Sequence, residues 1–186
     1  WGDTYPLGFT PRLEGHGTDF SSVIGVRGEN LGGFGVNYDF STSYGTHYIH
    51  YYLRNTLNLS WGPNSPHNFD IGDLQQEETN WNADFTYPLG DMNLAFGAEW
   101  REEKYIMYEG QKEAWMPGPW AMVHTLTYDS SGTAVNYGYT APGLAANGMP
   151  GTSPDAAGVF ARQNTAFYAD IEYDMDALLV QAAFRL

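Results

Sequence analysis

The stretch NLAFGAEW, residues 93–100, alternates without a break. Leu94, Phe96, Ala98 and Trp100 fall on one side, and Asn93, Ala95, Gly97 and Glu99 on the other. Successive side chains of a strand point to opposite faces, so this is a β-strand with one apolar face and one polar or small face. Apolar residues of a helix would instead recur every three or four positions. What the apolar face touches then decides the class of protein: a buried core makes a β domain in water, and a lipid surface makes a membrane barrel.

Five further segments obey the same rule. Strands are predicted near 19–27, 34–45, 75–89, 93–108, 164–174 and 178–186. Phe20, Ile24 and Val26 oppose Asp19, Ser21 and Arg27. Phe34, Val36, Tyr38, Phe40 and Tyr44 oppose Asn37, Asp39, Ser41 and Ser43. Trp81, Ala83, Phe85 and Tyr87 oppose Glu78, Asn80, Asn82 and Asp84. Thr165, Phe167, Ala169, Ile171 and Tyr173 oppose Asn164, Tyr168, Asp170 and Glu172, and Leu178, Val180, Ala182, Phe184 and Leu186 oppose Gln181 and Arg185. With 14 Tyr, 10 Phe and 22 Gly in 186 residues, the composition also favours strands joined by turns.

The connections sort into two kinds. GENLGG (28–33), GDM (90–92) and MDA (175–177) are turn-like, whereas loops are predicted near 46–74 and 109–162. Short and long alternate along the chain, and antiparallel strands put alternate connections at opposite ends. Tight turns at one end and long loops at the other are the asymmetry of an outer-membrane barrel. The segment HYIHYYLRNTLNLSWG, 47–62, is also strand-like, and its pattern is compatible with a spanning strand or a loop. A seventh spanning strand would break the asymmetry, so it is placed in the first long loop, where a hairpin arm is one form it can take.

The apolar faces carry their aromatics near strand ends: Tyr87, Tyr173 and Phe34 beside the short turns, Trp100 and Tyr44 toward the long loops. Two aromatic girdles around an aliphatic middle fit a lipid-facing wall. A tilted membrane strand needs about 9–11 residues, and polarity returns on the apolar side of 93–108 at Glu102 and Lys104. The opposite faces, with Asp84, Glu99, Arg101, Asp170, Glu172 and Arg185, are then expected to line the lumen. The expected fold class is all-β: antiparallel strands forming part of a transmembrane barrel, with short periplasmic turns and long extracellular loops.

Charge removes one class of partner. Eight Lys and Arg against 22 Asp and Glu give a formal net charge of −14, which repels a phosphate backbone, so no nucleic acid is expected. There is no cysteine, hence no disulfide and no thiolate metal site. No run approaches the roughly 18–20 apolar residues of a membrane helix. The opening WGDTYPLGF has neither initiator Met nor signal peptide, and a mature product or an internal piece of something longer is expected.

Signs of bond chemistry are scarce. His47 and His50 suggest a metal pair, but three residues apart on a strand they point to opposite faces, and no metal or cofactor is predicted. Glu99 and Asp170 suggest a glycosidase acid and base, yet charged residues belong in a lumen anyway. No nucleophile–base motif or phosphate loop is visible, and no enzyme is predicted. DSSG, 129–132, lacks the ligand spacing of an EF-hand and reads as a turn. The second long loop offers aromatic faces at Trp115, Trp120, His124, Tyr128, Tyr137 and Tyr139. These suit stacking on sugar, aryl or corrinoid rings, and packing of the loop against itself is the plain alternative.

Several of these stretches, in this order, resemble TonB-dependent outer-membrane receptors. LAFGAEWREEKY resembles the barrel strand in which a GaEyRrE pattern follows a short periplasmic turn, and RNTLNLSWGPNSPHNFDIGDL resembles the loop before that strand pair. SPDAAGVFARQNTAFYADIEYDMDALLVQAAFRL looks like the loop and hairpin that follow, and GTDFSSVIGVRGENLGGFGVNYDFSTSYG is similar to the preceding hairpin. The resemblance spans about 19–186 with gaps in the loops. It implies a barrel of about twenty-two strands around an N-terminal plug, of which residues 1–186 would be a partial barrel domain without the plug. It further implies the bacterial outer membrane of a Gram-negative cell, with partners in the remaining strands, the plug, outer-membrane lipid and the TonB complex. The function implied is energy-coupled uptake of a scarce nutrient: an unknown small molecule such as a siderophore, a vitamin or an oligosaccharide. Strands 19–27 and 178–186 are then expected to pair outside this sequence. The alternative of another class is a soluble or surface-exposed β domain that binds glycans through its aromatic loop.

Overall fold

A computed structural model describes residues 5–121, 123–140 and 143–186, with 123–127 and 134–140 described by backbone alone. The chain is all-β. Strands β1 (Arg12–Gly28), β2 (Asn37–Arg54), β3 (Asn68–Leu89) and β4 (Met92–Met107) precede a short helix, α1 (Lys112–Trp115). A hairpin of β5 (Val123–Tyr128) and β6 (Ala134–Thr140) follows, then β7 (Gly158–Asp174) and β8 (Leu179–Arg185). Six strands form one antiparallel sheet in the order β1-β2-β3-β4-β7-β8, and β5 pairs only with β6. The sheet is open: β1 and β8 are its two edges and do not pair with each other. Among the described residues no helix is long and apolar enough to cross a membrane.

The strands run past their predicted ends. β1 begins at Arg12, β3 at Asn68 and β7 at Gly158, while β2 reaches Arg54. Residues 47–54 are therefore the second half of β2, which corrects their placement in a loop, and the first long connection shrinks to 55–67. The reason is physical. Alternation of apolar residues reports what covers a face, whereas the hydrogen-bonded ladder continues where both faces turn polar. At the other end, Phe34 caps a 3-10 turn over Leu31–Gly33 and β2 starts only at Asn37, so Phe34 and Val36 belong to the turn.

Contacts divide the chain into two compact units. The first comprises Trp1–Thr18, Tyr48–Gln75 and Ile106–Val159, and contains both long connections. Its core is Leu53 of β2, Phe69 and Ile71 of β3, Ala114 of α1 and Ala146, with Tyr51 packed against it. Phe69 is 1 % exposed and Leu53 2 %. Around them a polar layer is sealed as well. Thr56, Asn58 and Ser60 are fully buried, and each is paired with groups far along the chain. The Thr56 hydroxyl donates to the Asn147 carbonyl at 2.5 Å, Asn58 Nδ2 to the Glu113 carbonyl at 2.8 Å, and Ser60 Oγ accepts from the Gly118 N–H at 2.9 Å while donating to Asn58 Oδ1 at 2.6 Å. Buried polar groups cost little when so satisfied. Gly72 makes the closest approach possible: its φ is +96°, and a Cβ there would lie 2.4 Å from the Tyr108 carbonyl oxygen.

The second unit comprises Asp19–His47, Gln76–Tyr105 and Phe160–Leu186, and holds the three short connections. It is wall without filling. One face carries an aromatic ladder across neighbouring strands: Phe40 meets Phe85 edge-on at 5.5 Å, and Phe85 stacks on Phe96 at 5.2 Å. In the β7–β8 register Ala169 faces Phe184, Ile171 faces Ala182 and Tyr173 faces Val180, so these six share a face, and Tyr168, Arg185, Asp170, Glu172 and Gln181 share the other. The apolar side lies open, with Ile24 72 % and Phe184 63 % exposed.

Candidate functional site

Two regions carry polar or aromatic groups in arrangements that bind: the charged face of the second unit, and the long connections of the first. The charged face is built by the alternate residues of β3, β4, β7 and β8. Arg101 Nη2 donates to Glu78 Oε2 at 2.7 Å and also contacts Glu103, which in turn holds Arg162. Arg185 Nη2 donates to Glu99 Oε1 at 3.2 Å, reaching from β8 across β7 to β4. Tyr168 makes the matching reach from β7 across β4, donating its hydroxyl to Asp84 Oδ1 on β3 at 2.6 Å. Gly97 permits this crossing, since a Cβ there would stand 2.6 Å from the Tyr168 ring and 2.8 Å from Asp84 Oδ1.

All six residues read as lumen-facing therefore belong to one face or its depressions. Glu99, Arg101 and Arg185 line a groove of about 430 Å³ together with Glu103 and Arg162. Asp170, Glu172 and Arg185 line a second depression beside Tyr168. Asp84 is tied to Tyr168, and Asp170 accepts from Gln181 Nε2 at 2.8 Å. Arg101, Arg162 and Arg185 on this face are each paired with a carboxylate, which suits holding polar surface in place. Glu99 and Asp170, weighed above as an acid and base, are bound by Arg185 and Gln181 respectively.

On the apolar side, a polar band closes the aromatic region. Glu102 pairs with Lys104 at 2.9 Å and accepts from Gln163 Nε2 at 2.8 Å. The Lys104 hydrogen bond, followed by that of Gln163, holds the Glu102 carboxyl below its ordinary range. On the charged face, Arg162 does the same for Glu103.

The loop aromatics divide. Trp115 Nε1 donates to the Gly110 carbonyl at 3.2 Å, and its ring is half-buried, so it packs the loop. Trp120 lies over Gly62 and its backbone N–H donates to the Ser60 carbonyl at 2.7 Å, yet half its surface is open. Tyr128 is exposed at the end of β5. The backbone register sets His124 opposite Tyr139 and Leu126 opposite Tyr137; the side chains of His124, Tyr137 and Tyr139 lie outside the described residues. DSSG forms the hairpin turn, with Asp129 Oδ1 accepting from the backbone of Ser131 at 2.8 Å and of Thr133 at 3.0 Å.

The two histidines part as their spacing requires. His47 Nδ1 lies 2.6 Å from Asp19 Oδ1 in the second unit, whereas His50 contacts Asp73 in the first. Sequence reading missed the company His50 keeps. One of its ring nitrogens and one oxygen each of Asp70 and Asp73 all lie within 4.8 Å of one another. Tyr48 donates its hydroxyl to Asp73 Oδ2. That bond, then burial and the nearby negative charge, pushes the Tyr48 hydroxyl up to about 12. The only sequence trace of the cluster is D-x-x-D at 70–73, which points to no partner on β2. No protein-family model, curated protein or solved structure matches this chain.

Proposed function

We propose that this chain is part of the barrel of a TonB-dependent outer-membrane receptor, which takes up a scarce, bulky nutrient using energy coupled from the inner membrane. One observation carries the reading: the second unit sorts its faces, aromatic and aliphatic on one side, ion-paired on the other, with both edge strands open. Water around that apolar face would leave large side chains such as Ile24, Phe167 and Phe184 hydrated, at a cost of about 1.5–3 kcal/mol for each one that burial would otherwise cover. Acyl chains cover such a face at no conformational cost to the protein. The order of barrel-like stretches along the sequence supports the same reading.

On this reading β1 and β8 pair with barrel strands outside this chain, the ion-paired face borders the lumen and plug, and the aromatic face meets outer-membrane lipid. The long connections capture the ligand, and the TonB complex moves the plug to let it pass. The residues of the lumen face bind and orient, and they break no bonds. Partition tests this. Expressed in a Gram-negative host, the full protein is expected in the outer-membrane fraction, released only by detergent, and its migration on gels should change with heating. Recovery from aqueous lysate as a folded protein would overturn the proposal and favour a β domain that binds glycans through Trp120 and Tyr128.

A further inference from the structure

We propose that His50, Asp70 and Asp73 form a binding site for a first-row divalent transition-metal cation, tying β2 to β3 beside the core of the first unit. This stands apart from the transport reading and holds whether or not that reading does.

Three observations separate the cluster from an ordinary ion pair. First, the donor atoms converge. A ring nitrogen of His50 and a carboxylate oxygen from each aspartate lie within 4.8 Å of one another. A cation bonded at about 2.0–2.2 Å to each donor would hold neighbouring donors roughly 3–3.5 Å apart, which the side chains reach by adjusting by about an ångström.

Second, Asp73 Oδ1 is sealed from solvent and meets no donor in hydrogen-bonding geometry, although His50 Nδ1 touches it. The Asp73 side chain is 15 % exposed and that of His50 24 %. The contact brings two atoms together without the alignment that a proton shared between them would need.

Third, the charge is unbalanced. The ion pairs that Lys and Arg form among the described residues go to Glu14, Glu78, Glu99, Glu102 and Glu103, and none reaches Asp70 or Asp73. Two carboxylates face one imidazole. Each carboxylate is also steadied from behind by a neutral donor: Tyr48 on Asp73 Oδ2, and the Gly72 N–H on Asp70 Oδ1 at 2.9 Å. Outer donors of this kind orient ligating carboxylates toward a metal.

The donor set names the class. One imidazole nitrogen with two carboxylates suits zinc, manganese, cobalt or nickel, whereas calcium and magnesium favour all-oxygen shells. The ligands come from the end of β2 and the start of β3, on either side of the 55–67 connection. A bound cation would therefore close that connection at its base and stabilise the unit by mass action.

The test is calorimetric titration of Zn²⁺ into the full protein after EDTA stripping, with Ca²⁺ and Mg²⁺ as comparison ions. One saturable Zn²⁺ site is expected, weakened ~10-fold or more by His50→Ala and by Asp73→Asn, and unchanged by His47→Ala. The comparison ions should bind at least ~10-fold more weakly than Zn²⁺. Absence of saturable Zn²⁺ binding overturns the proposal. So does Zn²⁺ binding that survives His50→Ala, which would place the ion on exposed histidines such as His16 or His67. Should Asp73→Asn fail to fold, His50→Gln at the more open position decides alone.

Discussion

The two units of this chain solve the same problem in opposite ways. The first hides Leu53, Phe69 and Ile71 almost completely and pairs Thr56, Asn58 and Ser60, the fully buried polar side chains among its described residues. The second buries hardly any large side chain, although Phe40, Phe85 and Phe96 touch one another along a face. A protein interior is completed by its own atoms; a wall is completed by what stands against it. The difference teaches where the molecule stops being self-sufficient. The connections fold on themselves, and the strands that carry them require a covering for one face and partners for two edges.

That contrast can be broken by substitution, beginning with the largest effect. Phe69→Ala should cost about 3–5 kcal/mol, because it removes a fully buried ring and leaves a cavity. Denaturant unfolding of the full protein, followed by tryptophan fluorescence, would read this; a cost below about 1 kcal/mol would show that the first unit has no true interior. Next, Ile24→Arg should cost about 2–4 kcal/mol if the open face meets acyl chains. The same change in water should stay within about 0.5 kcal/mol, so folding into lipid vesicles compared with folding in aqueous buffer separates the two coverings.

Smaller effects sharpen the picture. Asn58→Ala should cost about 1–3 kcal/mol, since it strips a partner from Ser60 and from the Glu113 carbonyl without letting water in; the midpoint of thermal unfolding checks it. The smallest effect lies in the ion pairs of Glu102 and Glu103. Hydrogen bonds from Lys104 and Arg162 hold the Glu102 and Glu103 carboxyls below the ordinary 4.5. An acid depressed in the folded state adds stability that is present above its unfolded value and is lost as pH falls through the folded one. The difference in unfolding midpoint between the wild type and Arg162→Gln should therefore persist at neutral pH and shrink on acidification below about 4.5. A difference that grew with acid would reverse the assigned sign.

The faces of the sheet were legible in the sequence because a period of two is local: Leu94, Phe96 and Trp100 declare their side without reference to anything distant. The charges of the opposite face were legible for the same reason. Strand ends were not, because the ladder past His47 and before Gln75 rests on backbone pairing that carries no apolar mark. The interior of the first unit was hidden more deeply. Thr56, Asn58 and Ser60 look like loop residues, and the carbonyls that satisfy them belong to Glu113 and Asn147. The company of His50 was concealed by the same separation, since nothing in HYIHYY refers to Asp70 or Asp73. Trp115 and Trp120 were visible as aromatic faces, but only their hydrogen bonds and neighbours distinguish a ring that packs from one that is half open.

The long reaches of Arg185 and Tyr168 have a mechanical consequence. Strands two places apart in a sheet are separated by about 9.5 Å, and each of these side chains spans that gap on the charged side. Ties of this length act like stitches along one surface of a cloth. They draw in the side on which they lie and leave the other free to spread. The two side chains, with the glycine that lets one of them pass, therefore favour bending toward the charged side over bending away from it.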